Sequence, residues 1–212
     1  MSAQYWPLVD IRLRAGDLEL RPMSDADLES VAEALPDDLE LDPSLPRFAV
    51  ADDRVRRGIS AHQFHWRSLG TWRPEQWRLN FVVHSGGELL GAQELEGNDF
   101  PTLRTVDTSS WLVQSARGRG VGKRMRLAVL GLAFGPLSAR AAITSAWHDN
   151  AASLGVSRSL GYQPNGVALE ARDDGADEMV HLRLTRADWE ARGGGADVEI
   201  GGFEPCRPYF GL

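Results

Sequence analysis

The chain has 212 residues, enough for one large domain or two very small ones, and a single domain is the better expectation. Its 42% hydrophobic and 25% charged residues are those of an ordinary globular protein, and the net charge of −7 argues against broad nucleic-acid binding. The single cysteine, Cys206, excludes an internal disulfide framework and a cysteine-based zinc site. We expect no metal, because the close pair His62 and His65 has no third ligand nearby in the sequence.

Targeting and membrane signals are not expected from the sequence. The N-terminal segment lacks a basic region followed by an apolar one, and the apolar stretch from Leu127 to Leu137 is far shorter than the roughly 20 residues that span a bilayer. We therefore expect a cytoplasmic protein without membrane or nucleic-acid partners.

The N-terminal part of the chain predicts one strand and two helices. Leu18 to Pro22 alternates in hydropathy like a strand, and Ser24 with the acids after it predicts a helix start, with the helix continuing to about Glu33. Residues 36 to 53 are rich in proline and acids and predict a long surface loop. A second helix is predicted over about 53 to 69.

The rest of the chain predicts a mixed sheet with helices. Strand signals occur at Leu79–His84, Leu89–Leu95, Thr105–Val113, Ala141–Trp147, Val167–Ala171 and Met179–Leu184, with turns at Ser85-Gly86-Gly87-Glu88 and Asp173-Asp174-Gly175. Helical periodicity occurs at Gly120–Phe134 and Ala151–Leu160, and Thr185 caps a short final helix. Antiparallel hairpins before a single strand–helix–strand crossover predict an α+β fold with a mixed, mostly antiparallel sheet.

The domain is predicted to cover residues 1–192, and Gly193-Gly194-Gly195 links it to a tail over 193–212. Asp197 to Ile200 alternates like a strand, and the aromatic residues after it are too apolar for a free tail. We expect an ordered tail that adds to the chain's own sheet edge or to a partner's, and a homodimer.

The sharpest local signal lies between a predicted strand and a predicted long helix. There, Gln114 to Arg124 reads QSARGRGVGKR, with three alternating glycines and four cations. Glycines let a backbone approach a ligand closely, and a helix N-terminus favours an anion. The segment predicts a diphosphate cradle or, as a purely structural alternative, a glycine turn before a basic helix start. A Walker loop is excluded by spacing, and Arg140 occupies the place where a Rossmann unit needs an acid.

Three motifs in order resemble the GNAT acyltransferase superfamily. Arg117 to Gly122 fits its pyrophosphate signature, and Val106 to Leu112 is similar to the A-E-I-G-Y-W-L strand of the ribosomal-protein-alanine N-acetyltransferase branch. Asn150 to Ser153, followed by Ser159 to Tyr162, resembles that branch's N-x-x-S and L-G-F/Y elements. The resemblance covers about residues 17 to 190. It extends to actinobacterial members with an N-terminal Trp-Pro-Leu and a C-terminal Cys-Arg-Pro, some of which use succinyl-CoA.

The resemblance implies a GNAT fold with a sheet of about seven strands flanked by helices. Trp111, Leu112 and Val113 would pair with the pantetheine arm of CoA like an added strand, and Asn150 would hydrogen-bond that arm, cap the following helix, or both. The diphosphate would be held by the loop residues Arg117, Gly118, Arg119, Gly120, Val121, Gly122, Lys123 and Arg124.

The same resemblance suggests catalytic side chains. Ser153 matches a serine near the thioester sulfur, where it could protonate the leaving thiolate, and Tyr162 matches an aromatic position that we expect to pack. Asp107 falls where many relatives have a glutamate base; because aspartate is one methylene shorter, it favours a water relay. The alternatives are that Asp107 is a solvent-facing strand acid, or that Glu94 on the preceding strand is the base.

The expected function is direct transfer of an acetyl or succinyl group from CoA to a primary amine. A covalent acyl-enzyme is not expected, because no cysteine lies among the motifs. The alternatives are a non-catalytic CoA-binding sensor and a nucleotide-binding module. The acidic 36–53 loop suits a cationic acceptor or is simply solvated. A succinyl carboxylate could pair with His148, Arg104 or Arg158, whereas Trp111 or Trp147 could close an acetyl-specific site.

Overall fold

A computed structural model describes residues 3–40, 48–50, 52–172 and 175–212. Part of the predicted 36–53 loop (41–47 and 51) and Asp173 and Asp174 of a predicted turn lie outside the described residues. Strands occupy β1 (Arg12–Ala15), β2 (Leu18–Pro22), β3 (Gln76–Ser85), β4 (Glu88–Asn98), β5 (Thr105–Leu112), β6 (Ala141–Trp147), β7 (Gln163–Arg172), β8 (Gly175–Thr185) and β9 (Val198–Gly201). Helices occupy α1 (Leu28–Ala34), α2 (Asp53–Gly70), α3 (Phe100–Leu103), α4 (Val121–Phe134), α5 (Ala151–Ser159) and α6 (Arg186–Glu190).

Within the described ranges, nine strands form one sheet in the order β7-β8-β6-β5-β4-β3-β2-β1-β9. Neighbouring strands are antiparallel except β5 and β6, which are parallel. The predicted α+β class with a mostly antiparallel sheet is therefore confirmed. The sheet is wider than the expected seven or so strands, because β9 joins it and because β1 was not predicted from the sequence. β1 has only four residues, two of them arginines, which is too short for a hydropathy pattern.

The two longest helices, α2 and α4, lie on opposite faces of the sheet. α2 lies on the face that carries Arg78 and Asn80, since Phe64 packs under the Arg78 guanidinium and Asn80 donates to Ser68 Oγ. α4 lies on the opposite face, where its apolar residues from Val121 through Phe134, except the partly buried Leu127, are buried in the main core. Because side chains alternate along a strand, each strand residue can be assigned to the α2 face or the α4 face from its register.

The C-terminal tail belongs to this core. β9 pairs antiparallel with β1 of its own chain, and Val198 packs on Gly131 of α4. Phe203, Cys206 and Phe210 are buried, and the Phe210 ring lies 4.8 Å from that of Trp77. The strand addition that motivated the homodimer therefore occurs within one chain, and the homodimer remains a prediction.

We expect a chain ending at Gly193 to be strongly destabilised. It loses β9 and the buried Phe210, and the loss of Phe210 exposes Trp77. Phe210→Ala alone should cost about 3–5 kcal/mol of the free energy of unfolding, the usual effect of emptying a buried phenylalanine site. Phe48→Ala, at a 42% exposed position, is the matched control. Urea unfolding measures both, and light scattering of the shortened chain tests the homodimer. Unchanged stability and mass would exclude both a packed tail and a tail-mediated dimer.

Among the residues the structure describes, no helix has the length and apolarity needed to cross a membrane.

Candidate functional site

The parallel neighbours β5 and β6 separate part-way along their length. Their pairing stops at Asp107 and Ile143, although β5 continues to Leu112 and β6 to Trp147. Each strand keeps its outer neighbour over the remaining length, so only the inner edges part. Such edges offer backbone N–H and C=O groups to an extended ligand. We call this opening the β5–β6 cleft.

The glycine loop begins where β5 ends. Gly118 and Gly120 have φ values of +70° and +75°, a left-handed conformation that favours glycine, and a Cβ at either would meet no atom within 4 Å. Gly120 precedes the first residue of α4, so the free N–H groups of that helix lie at the end of the cleft. Both the turn and the helix start that the sequence predicts are present.

The cations of this segment have different surroundings. Arg117 donates two hydrogen bonds, of 2.6 and 2.7 Å, to the carboxylate of Asp38, and its guanidinium holds the pKa of Asp38 below the usual range. Arg124 pairs with Asp17 in the β1–β2 turn. Arg119 and Lys123 are exposed. The segment therefore offers four cations, two of which, Arg117 and Arg124, are engaged by acids of the chain itself.

The segment 36–40 connects the two sides of the cleft. Asp38 binds Arg117 beyond the end of β5, whereas Glu40 accepts a 2.5 Å hydrogen bond from Trp147 Nε1 at the end of β6. Arg172 of β7 also binds Glu40, at 3.1 Å, and its guanidinium lies 4.9 Å above the Trp147 ring. This segment, which we call the strap, is the described beginning of the predicted acidic loop.

Asn150 and Ser153 lie just beyond the end of β6. The side-chain oxygen of Asn150 accepts a 3.0 Å hydrogen bond from the Ser153 backbone N–H, so Asn150 is the N-cap of α5. The structural role considered for Asn150 is thus present. Tyr162 is 2% exposed, in the main core, and burial raises the pKa of its hydroxyl.

A group of acids lies on the α2 face of the sheet, beside the point where β5 and β6 separate. In register, Glu96 of β4 is opposite Asp107 of β5, and Glu94 is opposite Ser109. Arg78 Nε lies 2.8 Å from both Glu94 Oε1 and Glu96 Oε2. Ser109 Oγ donates to Glu94 Oε2 at 3.0 Å. Asp107, Glu94 and Glu96 therefore form one acidic face.

Burial raises the pKa of two of these carboxyl groups, Glu94 and Asp107. It raises the pKa of Glu94 to about 7, to which the negative charge of Glu96 adds, although Arg78 opposes the shift. Burial also raises the pKa of Asp107 to about 6, against the effect of a 2.6 Å hydrogen bond from the Thr108 backbone N–H. Both values lie near neutral pH, where a carboxylate can accept a proton and release it again.

Two members of this region were not found from the sequence. Cross-strand register places Glu96 and Arg78 at the acidic face, and no local motif predicts that register. The fully buried Arg126 of α4 was also missed. A signal did exist for it, since Arg126 precedes the buried Val129 by three positions and Leu130 by four, and so lies on the apolar side of the helix.

Of the cations considered for a succinyl carboxylate, His148 directly follows the last residue of β6. Arg104 packs on Phe100 and donates to the Leu137 carbonyl, at the end of β5 away from the cleft. His148 Nδ1 lies 3.0 Å from Asp177 Oδ1, and Arg158 is exposed on α5. Over the described parts of the chain, no group of three or more histidine, cysteine or acidic residues is arranged to hold a metal ion.

Comparisons with known proteins identify the fold and the family. The Mycobacterium smegmatis protein RimJ, solved in complex with CoA-disulfide, has a similar structure, with a TM-score of 0.67 and 21% identity over 89% of this chain and 96% of its own. A chimera of the Vibrio cholerae spermidine N-acetyltransferase SpeG and hSSAT has a TM-score of 0.64 and 13% identity over 82% and 99%. At these identities the likeness shows the fold. The family described as acetyltransferase (GNAT) domain matches residues 17–163, and the chain therefore belongs to the GNAT acetyltransferases.

Proposed function

We propose that this protein is an acyl-CoA-dependent N-acyltransferase that moves an acetyl or succinyl group to a primary amine. The observation that carries the proposal is the β5–β6 cleft, with a basic glycine loop at one end and the acidic face beside it. The cofactor site and the proton acceptor that we assign therefore adjoin the same opening in the sheet.

The cofactor is assigned to the cleft and the loop. The pantetheine arm pairs with the free edge of β5 at Trp111, Leu112 and Val113, as an added strand does. The diphosphate lies on the loop from Arg117 to Arg124, against the N-terminus of α4. Asn150 caps α5 with its oxygen, and its exposed amide N–H₂ is left to donate to the arm.

The chemistry is assigned to the acidic face. Asp107, directly or through a water, takes a proton from the ammonium form of the acceptor; Glu94 is the alternative base. The neutral amine nitrogen attacks the thioester carbonyl carbon, the C–N bond forms, and the C–S bond breaks. The nitrogen then loses its second proton, which the Ser153 hydroxyl relays to the CoA thiolate, so that Ser153 is the assigned proton donor and is left unchanged.

The acceptor reaches the thioester from the α2 face, where the acids lie. Acidic side chains there and in the strap favour a cationic amine, on a small molecule or on a protein. SpeG is a spermidine N-acetyltransferase, which is in keeping with such an acceptor. We also propose a cytoplasmic location. A homodimer remains part of the proposal; the edge strand β7, with Val167 60% and Leu169 75% exposed, offers a surface for it.

A screen of amines and peptides with acetyl-CoA and succinyl-CoA, detecting free thiol, tests the proposal. The proposal is supported if thiol release requires the amine and is lost when the glycine loop is altered. CoA binding without transfer to any amine would indicate the sensor alternative. Binding of ATP or NAD in preference to CoA in a thermal-shift comparison would indicate a nucleotide-binding module.

Asp38→Asn should tighten CoA binding about two- to fivefold, because the variant frees Arg117 for the diphosphate while an exposed ion pair contributes little to stability. Asp37→Asn, the neighbouring exposed acid, is the control for the change in net charge. Calorimetry at low and high salt separates the effect of losing the Asp38–Arg117 ion pair from the general attraction between CoA and a less negative protein. Weaker CoA binding to Asp38→Asn would show instead that Asp38 holds Arg117 in its binding position.

A further inference from the structure

Arg126 is a buried cation with no carboxylate of the described residues in direct contact. Its residue exposure is 3%, and its hydrogen bonds all go to hydroxyl groups: Ser157 Oγ at 2.9 Å, and Thr144 Oγ1 and Ser110 Oγ at 3.4 Å each. Its Nε has no partner. In the described part of the chain, no carboxylate oxygen lies within 4.0 Å of this guanidinium.

Such burial is unfavourable for a charge. Removal from water lowers the pKa of Arg126, and the ionisable groups that act on it are Tyr162 and, from the α2 face, Asp107. Tyr162 is neutral near pH 7, since burial raises the pKa of its hydroxyl. Neutral hydroxyls do not balance a guanidinium as a carboxylate does, and two of the three contacts are long. A buried charge with no carboxylate in direct contact, at the edge of a cleft, is a candidate for a functional role.

The position of Arg126 relates it to the cleft. Its hydrogen-bond partners Ser110 and Thr144 belong to β5 and β6, one residue or more beyond the last pair, Asp107 and Ile143. The guanidinium thus lies across the opening on the α4 face. Ser110 is exposed, so one hydroxyl separates the Nη2 atom of Arg126 from the open space beside β5.

We propose that Arg126, with Ser110, Thr144 and Ser157, is an anion site in the floor of the β5–β6 cleft that binds a carboxylate at the far end of the acyl group. The donor is then the CoA thioester of a dicarboxylic acid. This inference rests on the proposed function and decides between its two donors. In this assignment Arg126 binds the acyl carboxylate and so determines which donor the protein prefers.

The other anions of the reaction fit this site less well. The CoA diphosphate is served by the exposed cations of the glycine loop, which are outside the cleft floor. The acidic face and the acceptor lie on the α2 side of the sheet. A carboxylate on the acyl chain is the anion that enters the cleft itself, and it could replace the two 3.4 Å hydroxyl contacts with short, charge-assisted hydrogen bonds.

Calorimetry with succinyl-CoA, acetyl-CoA and CoA, without an acceptor, tests the assignment independently of the amine. The wild-type protein should bind succinyl-CoA at least about tenfold more tightly than acetyl-CoA. Arg126→Met should lower succinyl-CoA affinity roughly 10- to 100-fold, the range for hydrogen bonds to charged groups, and acetyl-CoA affinity less than about threefold. Arg126→Lys, which keeps the charge, should restore part of the preference.

Arg14→Met is the matched control, because the Arg14 side chain is 60% exposed on β1 and the change in charge is the same. If Arg126→Met does not fold, Ser110→Ala carries the test, since it should lower the affinity for succinyl-CoA alone. Equal binding of the two donors by the wild-type protein, or equal losses for both donors in the variants, overturns the anion site while the proposed function holds. Failure of CoA itself to bind overturns the proposed function first.

Discussion

Gly120→Leu should abolish measurable CoA binding, or weaken it at least about 30-fold, and leave the protein folded. The φ of +75° strains any side chain there by about 1–2 kcal/mol, and the new Cβ points into open space where the diphosphate is assigned. A strain of this size lowers Tm by a few degrees in a chain of this length. Calorimetry with CoA measures the loss, and thermal unfolding confirms the fold.

The control for this substitution is Gly193→Leu, at a glycine with φ of +96° and nothing within 4 Å of its Cβ. That variant should show similar strain and bind CoA normally. Arg119→Ala should have a smaller effect than Gly120→Leu, about 1–2 kcal/mol for one charge-assisted phosphate contact. Unchanged CoA affinity in Gly120→Leu would exclude the glycine loop as the CoA-binding site, and with it the central part of the proposed function.

Asp107→Asn should lower turnover about 100-fold or more, the usual effect of losing a general base, while CoA binding persists. If Asp107 is the base, the wild-type kcat/KM should rise with pH through about 6 and then level, because the carboxylate form is the active one. Glu94→Gln is the matched comparison: if Glu94 is the base, the rise is instead centred near 7 and is lost in that variant. Full activity of Asp107→Asn would show that Glu94 or water, and not Asp107, takes the proton from the amine.

The same substitution should change how stability depends on pH. The folded-state pKa of Asp107 lies above its usual 3.8, so the folded protein holds this proton more tightly than the unfolded chain does. Its contribution to stability is therefore lost as pH rises from about 4 to about 6, and Asp107→Asn should flatten that part of the curve. Urea unfolding at several pH values measures the slope. An unchanged slope would contradict the burial of Asp107.

Much of the local structure could be predicted from the sequence. The turn at Ser85 to Glu88, the start of α4 after Gly120 and the start of α6 after Thr185 all occur where glycines and capping residues predict them. The order of hairpins and one crossover also predicted the fold class correctly. These features depend on backbone conformation and on side-chain periodicity over a few residues, which are properties of a short segment.

The residues of the candidate site likewise fall into those that a short segment predicts and those that it does not. By itself the sequence determined the glycine loop and the strand before it, because each is a short motif with its own local chemistry, and the resemblance to the family added Asp107 as a candidate base. Only the tertiary structure decided that Glu96 lies beside Asp107 and pairs with Arg78, that the strap engages Arg117, and that Arg126 is buried beneath the cleft. Those contacts join residues far apart in the chain, and they depend on strand register and on which helix face packs inward, neither of which a local pattern specifies.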